Sequence, residues 1–157
     1  RVRAPLHHPP LMPAPSGPGD AGTFRFRHPV EVRFRDLDPM GHAHHSLALI
    51  YFEEARGAYW REVVGRTGLE GIDFIMGETH VRHHARVRYP ARLEVGVRVT
   101  SLGAKSFTME YELRTGSGEL LASGRTAQVM YDYAAACSKP IPPEVRRAIR
   151  AFEGGVA

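Results

Sequence analysis

The chain has 157 residues, with 43% apolar and 24% charged side chains, which fits one soluble globular domain. Lys plus Arg number 21 against 17 Asp plus Glu, a net +4 that is too weak to read as a nucleic-acid binder. The single cysteine, Cys137, excludes a disulfide framework and a cysteine-based zinc site.

Residues 1–22 hold six of the twelve prolines and few large apolar side chains. Such a stretch cannot bury enough surface to offset its ordering entropy, so a disordered arm is expected, followed by one domain over 23–157. His7 and His8 sit in that arm without converging metal partners. The longest apolar run is Leu47–Phe52, far below the ~20 residues of a membrane helix. The first residues carry no apolar signal-peptide core, so a cytoplasmic protein without membrane or nucleic-acid partners is expected. The chain opens on Arg1, which leaves residues before it to be expected.

From Val30 the pattern has period two: Val30, Val32 and Phe34 alternate with Glu31, Arg33 and Arg35, predicting a half-buried strand. A turn follows at Asp36, Leu37, Asp38, Pro39, Met40 and Gly41. Residues 46–64 predict a helix ending near Gly65, apolar round most of its circumference and so buried on more than one side. Four further strands are expected, around Val81–Tyr89, Leu93–Val99, Phe107–Leu113 and Ala127–Tyr133, joined by short connectors as a meander. The inward residues of the first include His83, read as a core histidine, and those of the last are Ala127, Val129, Tyr131 and Tyr133. A final helix starts near Pro143, with Val145, Ala148, Ile149 and Phe152 on one face. The economical fold is α+β, a curved antiparallel sheet wrapped round one long central helix.

The densest polar cluster is Asp36, Asp38, His42, His44 and His45, just before the long helix. A turn built on Pro39 and Gly41 accounts for it in purely structural terms. Location offers a second reading. Unpaired N–H groups and the positive dipole end of a helix polarise a carbonyl, and an adjacent carboxylate can attack it or activate a water. A third reading is a metal site, but His42, His44 and His45 match no helical i, i+4 ligand pair, and none is expected.

Residues 32–45 (VRFRDLDPMGHAHH) and 50–56 (IYFEEAR) resemble the signature of hot-dog-fold acyl-CoA thioesterases, of the 4-hydroxybenzoyl-CoA thioesterase-like group. The likeness runs through 89–91 (YPA) and 102–107 (LGAKSF) and covers roughly residues 28–135. It implies that Asp38 is the catalytic carboxylate, as nucleophile or general base. It implies that His45 lends its backbone N–H to the thioester carbonyl, with a catalytic ring in some relatives. His42 and Ser46 flank that position as substrate-binding candidates. Glu53 falls where some relatives place an acid near the acyl group, or it is simply a solvated helix residue. Asp36 holds the turn, and Arg56 ties the helix to the sheet. Lys105 and Ser106 match the hairpin that contacts the coenzyme A nucleotide. Arg82, with Arg86 and Arg88 on one strand face, is a further candidate for its phosphates, or part of a solvated edge.

The implied activity is hydrolysis of an acyl- or aroyl-CoA, with coenzyme A as part of the substrate and no separate cofactor. A hot-dog hydratase or dehydratase is the alternative enzyme, since Asp36, Asp38, Pro39 and His42 loosely echo its motif, although Asp38 and Gly41 depart from it. A non-catalytic acyl-CoA-binding domain is the other alternative. The resemblance also implies a homodimer joined edge to edge, or a homotetramer.

Overall fold

The computed structural model describes residues 24–156, so the expectations for the proline-rich arm lie outside the described residues. Strand β1 (Phe26–Glu31) leads through a 3-10 turn at Phe34–Asp36 to helix α1 (Leu47–Glu62). Then come β2 (Phe74–His83), β3 (Arg92–Leu102), β4 (Ser106–Thr115), β5 (Leu120–Asp132), the short β6 (Cys137–Ser138) and helix α2 (Pro143–Glu153). The strands form one antiparallel sheet in the order β1-β3-β4-β5-β2, with β6 added to β5. The sheet curls round α1, the hot-dog architecture the resemblance implies. Among the described residues, no helix is long and apolar enough to cross a membrane.

Large side chains set the spacing between α1 and the sheet. Phe52 stacks on Tyr111 with ring centroids 4.8 Å apart, and Trp60 stacks on Phe107 at 5.2 Å. Each such buried aromatic contributes about 1.5–3 kcal/mol by leaving water. Gly124 on β5 lets Phe52 seat: a Cβ there would lie 2.5 Å from its ring. At the far end α2 begins with Pro143 and stops at Gly154, whose φ of +71° is left-handed. Its Glu153 accepts hydrogen bonds from Tyr59 Oη (2.8 Å) and the Val99 N–H (2.9 Å). Burial first, then Glu153, pushes the Tyr59 hydroxyl far above the ordinary tyrosine range.

Five expectations need correction. The first strand lies at 26–31, not 30–35, because the Asp36 carboxylate accepts the Arg33 N–H (2.9 Å) and curls the chain into a 3-10 turn. Phe34 is consequently 75% exposed. The strand expected over 81–89 lies at 74–83, because the ladder with β5 ends at His83 and Ala122, where the amides of His84 and Ala85 both turn onto the one Leu121 carbonyl. Arg86 and Arg88 therefore do not share a strand face with Arg82. The four strands are not one meander: β3, β4 and β5 are, but β2 pairs with β5 on the edge opposite β1. Along the second half of β5 the buried residues are Thr126, Gln128 and Met130, in parity with Gly124, which faces Phe52; Ala127, Val129 and Tyr131 have the opposite parity and are only partly buried. Finally, α1 buries a single stripe comprising Ala48, Tyr51, Phe52, Ala55, Ala58, Tyr59 and Trp60, while Leu49 and Ile50 stay partly exposed.

Candidate active site

The turn between β1 and α1 is built by its own side chains. Asp36 Oδ2 accepts from the Arg33 N–H and from Tyr51 Oη (3.1 Å), so the notion that Asp36 holds the turn fits its contacts. Asp38 closes the next turn. Its N–H donates to the His42 carbonyl (2.8 Å), and its carbonyl accepts from the Gly41 N–H (3.0 Å). Gly41 has φ of +74°, a conformation that L side chains rarely adopt. Asp38 Oδ1 accepts from the amides of Met40 (2.8 Å) and His42 (3.4 Å). Its Oδ2 takes no hydrogen bond from the described residues. One oxygen holds the turn, and the other is left for a ligand.

Beside this carboxylate is a cavity of about 210 Å³, open on one side. Asp38, His42, His45 and His83 line it together with Arg86, and Ala48 and Ala122 form its apolar base. The cavity abuts the first turn of α1, where the His45 N–H has no hydrogen-bond partner among the described residues. An oxygen seated there meets a free donor and the positive end of a helix of 16 residues.

Hydrogen bonds assign two of the imidazoles. The Ser46 N–H donates to His44 Nδ1 (3.3 Å), so neutral His44 carries its proton on Nε2. Arg86 Nη1 lies 3.4 Å from His42 Nε2; a guanidinium only donates, so neutral His42 carries its proton on Nδ1. The rings of His45 and His83 form no hydrogen bond among the described residues, and they meet edge to face with centroids 6.5 Å apart.

Asp38, His42 and His45 thus come together as the sequence suggested. Ser46 lies beside them, exposed and bonded to His44 (Oγ to Nδ1, 2.9 Å), without lining the cavity. Glu53 is exposed two turns into α1 and also stands outside the cavity. Arg56 Nη1 reaches Tyr111 Oη (3.4 Å), tying helix to sheet. Arg82 pairs with Ser123 on the outer face of the sheet, and Arg86 is the arginine that reaches the cavity. Lys105 and Ser106 are far away. Ser106 pairs with Val129, and the seven residues from there to Ala122 span roughly 23 Å of strand. Lys105 Nζ donates to Ser138 Oγ (3.2 Å).

His83 went unassigned to the site in sequence, and Arg86 entered only alongside Arg82 and Arg88 as part of a shared strand face. His83 is exposed, not a core residue. The available signal was Gly77, an isolated glycine inside a strand pattern, which marks a β-bulge and a change of parity. Among the described residues, no group of three or more His, Cys, Asp or Glu side chains is arranged to hold a metal ion.

Residues 32–149 match the model of the thioesterase-like superfamily. A thioesterase from Thermus thermophilus, solved in complex with coenzyme A and Zn, is 32% identical over 82% of this chain and 94% of its own, with a TM-score of 0.72. The PA5185 protein of Pseudomonas aeruginosa strain PAO1 is 28% identical over 80% of this chain and 90% of its own, also with a TM-score of 0.72. YsmA of Bacillus subtilis (strain 168) is 25% identical over 107 residues, 68% of this chain and 73% of its own. With the family model covering most of the domain and the fold agreeing throughout, the chain belongs to the thioesterase-like superfamily.

Proposed function

We propose that the protein is an acyl-CoA thioesterase acting on a short-chain or single-ring acyl group. The observation that supports this most is the pairing of a half-buried carboxylate, with one oxygen unengaged, and the free His45 N–H at a helix N-terminus in one cavity. In this reading the thioester carbonyl oxygen sits at that N–H, where developing negative charge is stabilised. Asp38 then attacks the carbonyl carbon or draws a proton from the attacking water. The cavity volume of about 210 Å³ suits a small acyl group, since a cavity of about 150 Å³ already accommodates benzene. Coenzyme A bound to the Thermus relative supports a CoA-type substrate here. Arg86, at the cavity, is placed to meet an anionic part of it.

The site reads as complete only in a homodimer. Among the described residues β2 is an edge strand with one side unpaired, and Ile75 and Met76 on it are 38% and 40% exposed. Antiparallel pairing of two β2 strands would bring the Phe74 end of one beside the His83 end of the other. The Lys105–Ser106 hairpin of one protomer would then approach the cavity of its partner. That arrangement resolves the roughly 23 Å between the two halves within one chain.

The test is thiol release from a panel of acyl-CoAs by wild type and Asp38→Asn. Asn retains the oxygen that accepts the Met40 N–H and removes the basic one, so the turn is expected to persist while turnover falls by about 10²–10⁴-fold. Tight binding without turnover would instead favour a binding domain, and water addition to an enoyl-CoA would favour a hydratase. Sedimentation of a stable, active monomer would overturn the dimeric site.

A further inference from the structure

The register of β2 changes once. Met76 lies opposite Gln128 and Glu78 opposite Ala127, so Gly77 is bulged out of the ladder. Before the bulge the even-numbered residues face the helix: Phe74 packs on Trp60 with centroids 4.9 Å apart, and Met76 meets the buried Gln128. After the bulge the odd-numbered residues do so: Val81 lies opposite Gly124 and His83 opposite Ala122, both inward positions on β5. Bulges re-aim side chains in this way and are frequent beside active sites. With an uninterrupted ladder, Arg82 would occupy the inward position and His83 would face out. The bulge exchanges a guanidinium, which cannot release its proton, for an imidazole, which can.

The neighbouring histidines are engaged elsewhere. His84 Nε2 is held by Ser123 Oγ (2.8 Å), His80 by Glu78, His42 by Arg86 and His44 by Ser46. His83 alone among those on β2 and its following loop faces the cavity with its ring nitrogens free of the described residues. Its ring stands perpendicular to that of His45, with centroids 6.5 Å apart, and the His45 amide is the donor assigned to the carbonyl oxygen.

The geometry points to His83 as a further catalytic residue, the proton donor to the departing sulfur; this rests on the thioesterase reading above. When the tetrahedral intermediate collapses, the carbonyl re-forms, the C–S bond breaks and its electron pair passes to sulfur. The imidazolium of His83 gives that sulfur a proton, so coenzyme A leaves as the neutral thiol. His83 regains a proton from solvent, and the proton that Asp38 took from water returns to solvent. The sum is thioester plus water to acid plus thiol. Transfer from imidazolium to an alkyl thiolate runs downhill, since their ordinary pKa values are about 6.5 and about 8.5. The same step serves whether Asp38 acts as base or nucleophile.

A pair of substrates sharing one acyl group tests the role: the CoA thioester and the 4-nitrothiophenyl thioester, whose acidic thiol departs without a proton. His83→Gln is expected to lower kcat on the CoA thioester by about 10²-fold and to leave the 4-nitrothiophenyl thioester within about threefold of wild type. His83→Asn is expected to repeat the pattern, and an unchanged melting temperature excludes a folding effect. Equal losses on both substrates overturn the proposal by marking His83 as structural. No loss on either, with Asp38→Asn inactive, overturns it as well. A wild type that cleaves neither substrate overturns the hydrolase reading itself, an outcome distinct from an active wild type with an unaffected His83→Gln.

Discussion

Tyr51 Oη donates to Asp36 Oδ2 at 3.1 Å, linking the second turn of α1 to the loop that carries Asp38. Burial first, then the Asp36 carboxylate, raises the Tyr51 hydroxyl well above its usual pKa, so it remains a donor across the working pH range. Tyr51→Phe removes the link and leaves Asp36 bonded to the Arg33 N–H. The expected cost is about 1 kcal/mol of stability, with a fall in kcat larger than any change in KM. Urea denaturation alongside steady-state kinetics checks both.

Alkaline conditions probe another buried tyrosine, Tyr59. Tyr59 is protonated in the folded state to far higher pH than in the unfolded chain. Its contribution is therefore complete below about pH 10, where the unfolded tyrosine titrates, and declines as pH rises further. Wild type is expected to lose stability between about pH 9.5 and 11 more steeply than Tyr59→Phe does. Equal slopes in a denaturation series would refute the assignment.

Gly124→Ala tests the contact between helix and sheet. The added carbon would lie 2.5 Å from Phe52 Cε2 and 3.2 Å from the His80 carbonyl oxygen, the latter a backbone atom with little room to yield. Overpacking of this kind costs about 1–3 kcal/mol. A lowered melting temperature is expected, with near-UV dichroism reporting the displaced Phe52–Tyr111 stack.

Substrate truncation tests the nucleotide contacts. Lys105→Ala is expected to raise KM for acyl-CoA severalfold, more at low salt than at high, because phosphate contacts by exposed lysines are screened. The corresponding acyl-pantetheine, lacking the nucleotide, is expected to be turned over equally well by variant and wild type.

The parts of this molecule legible in its sequence are those governed by one period. Leu93–Val99 and Phe107–Leu113 alternate cleanly and are found as the core of β3 and β4, with Val95, Val97, Met109 and Leu113 fully buried. Asp38, His42 and His45 were legible because the turn places them within eight residues of one another. His83 and Arg86 were not, because their position depends on events that alternation does not encode. The Gly77 bulge reverses parity midway along β2, and the ladder with β5 stops at His83 and Ala122, so the chain leaves the sheet after the His84 and Ala85 amides converge on Leu121. The inward face of β5 was also misread, since Thr126 and Gln128 are polar and buried, with Tyr111 Oη 2.9 Å from Thr126 Oγ1 and the Gln128 amide nitrogen donating to both hydroxyls. A pattern of apolar residues cannot announce a face that is buried through its hydrogen bonds.

The released loop 84–91 is stitched to the segment that carries Asp38. The Ala43 N–H donates to the Val87 carbonyl and the Val32 N–H to the Ala91 carbonyl, each at 3.0 Å. Asp38 and Arg86 thus sit on two ribbons sewn along one seam. Local opening of that seam would free both ribbons together, so the amides of Val32 and Ala43 should exchange with solvent at a common rate. A ligand touching both sides would slow the two in step, making these two amides paired reporters of site occupancy.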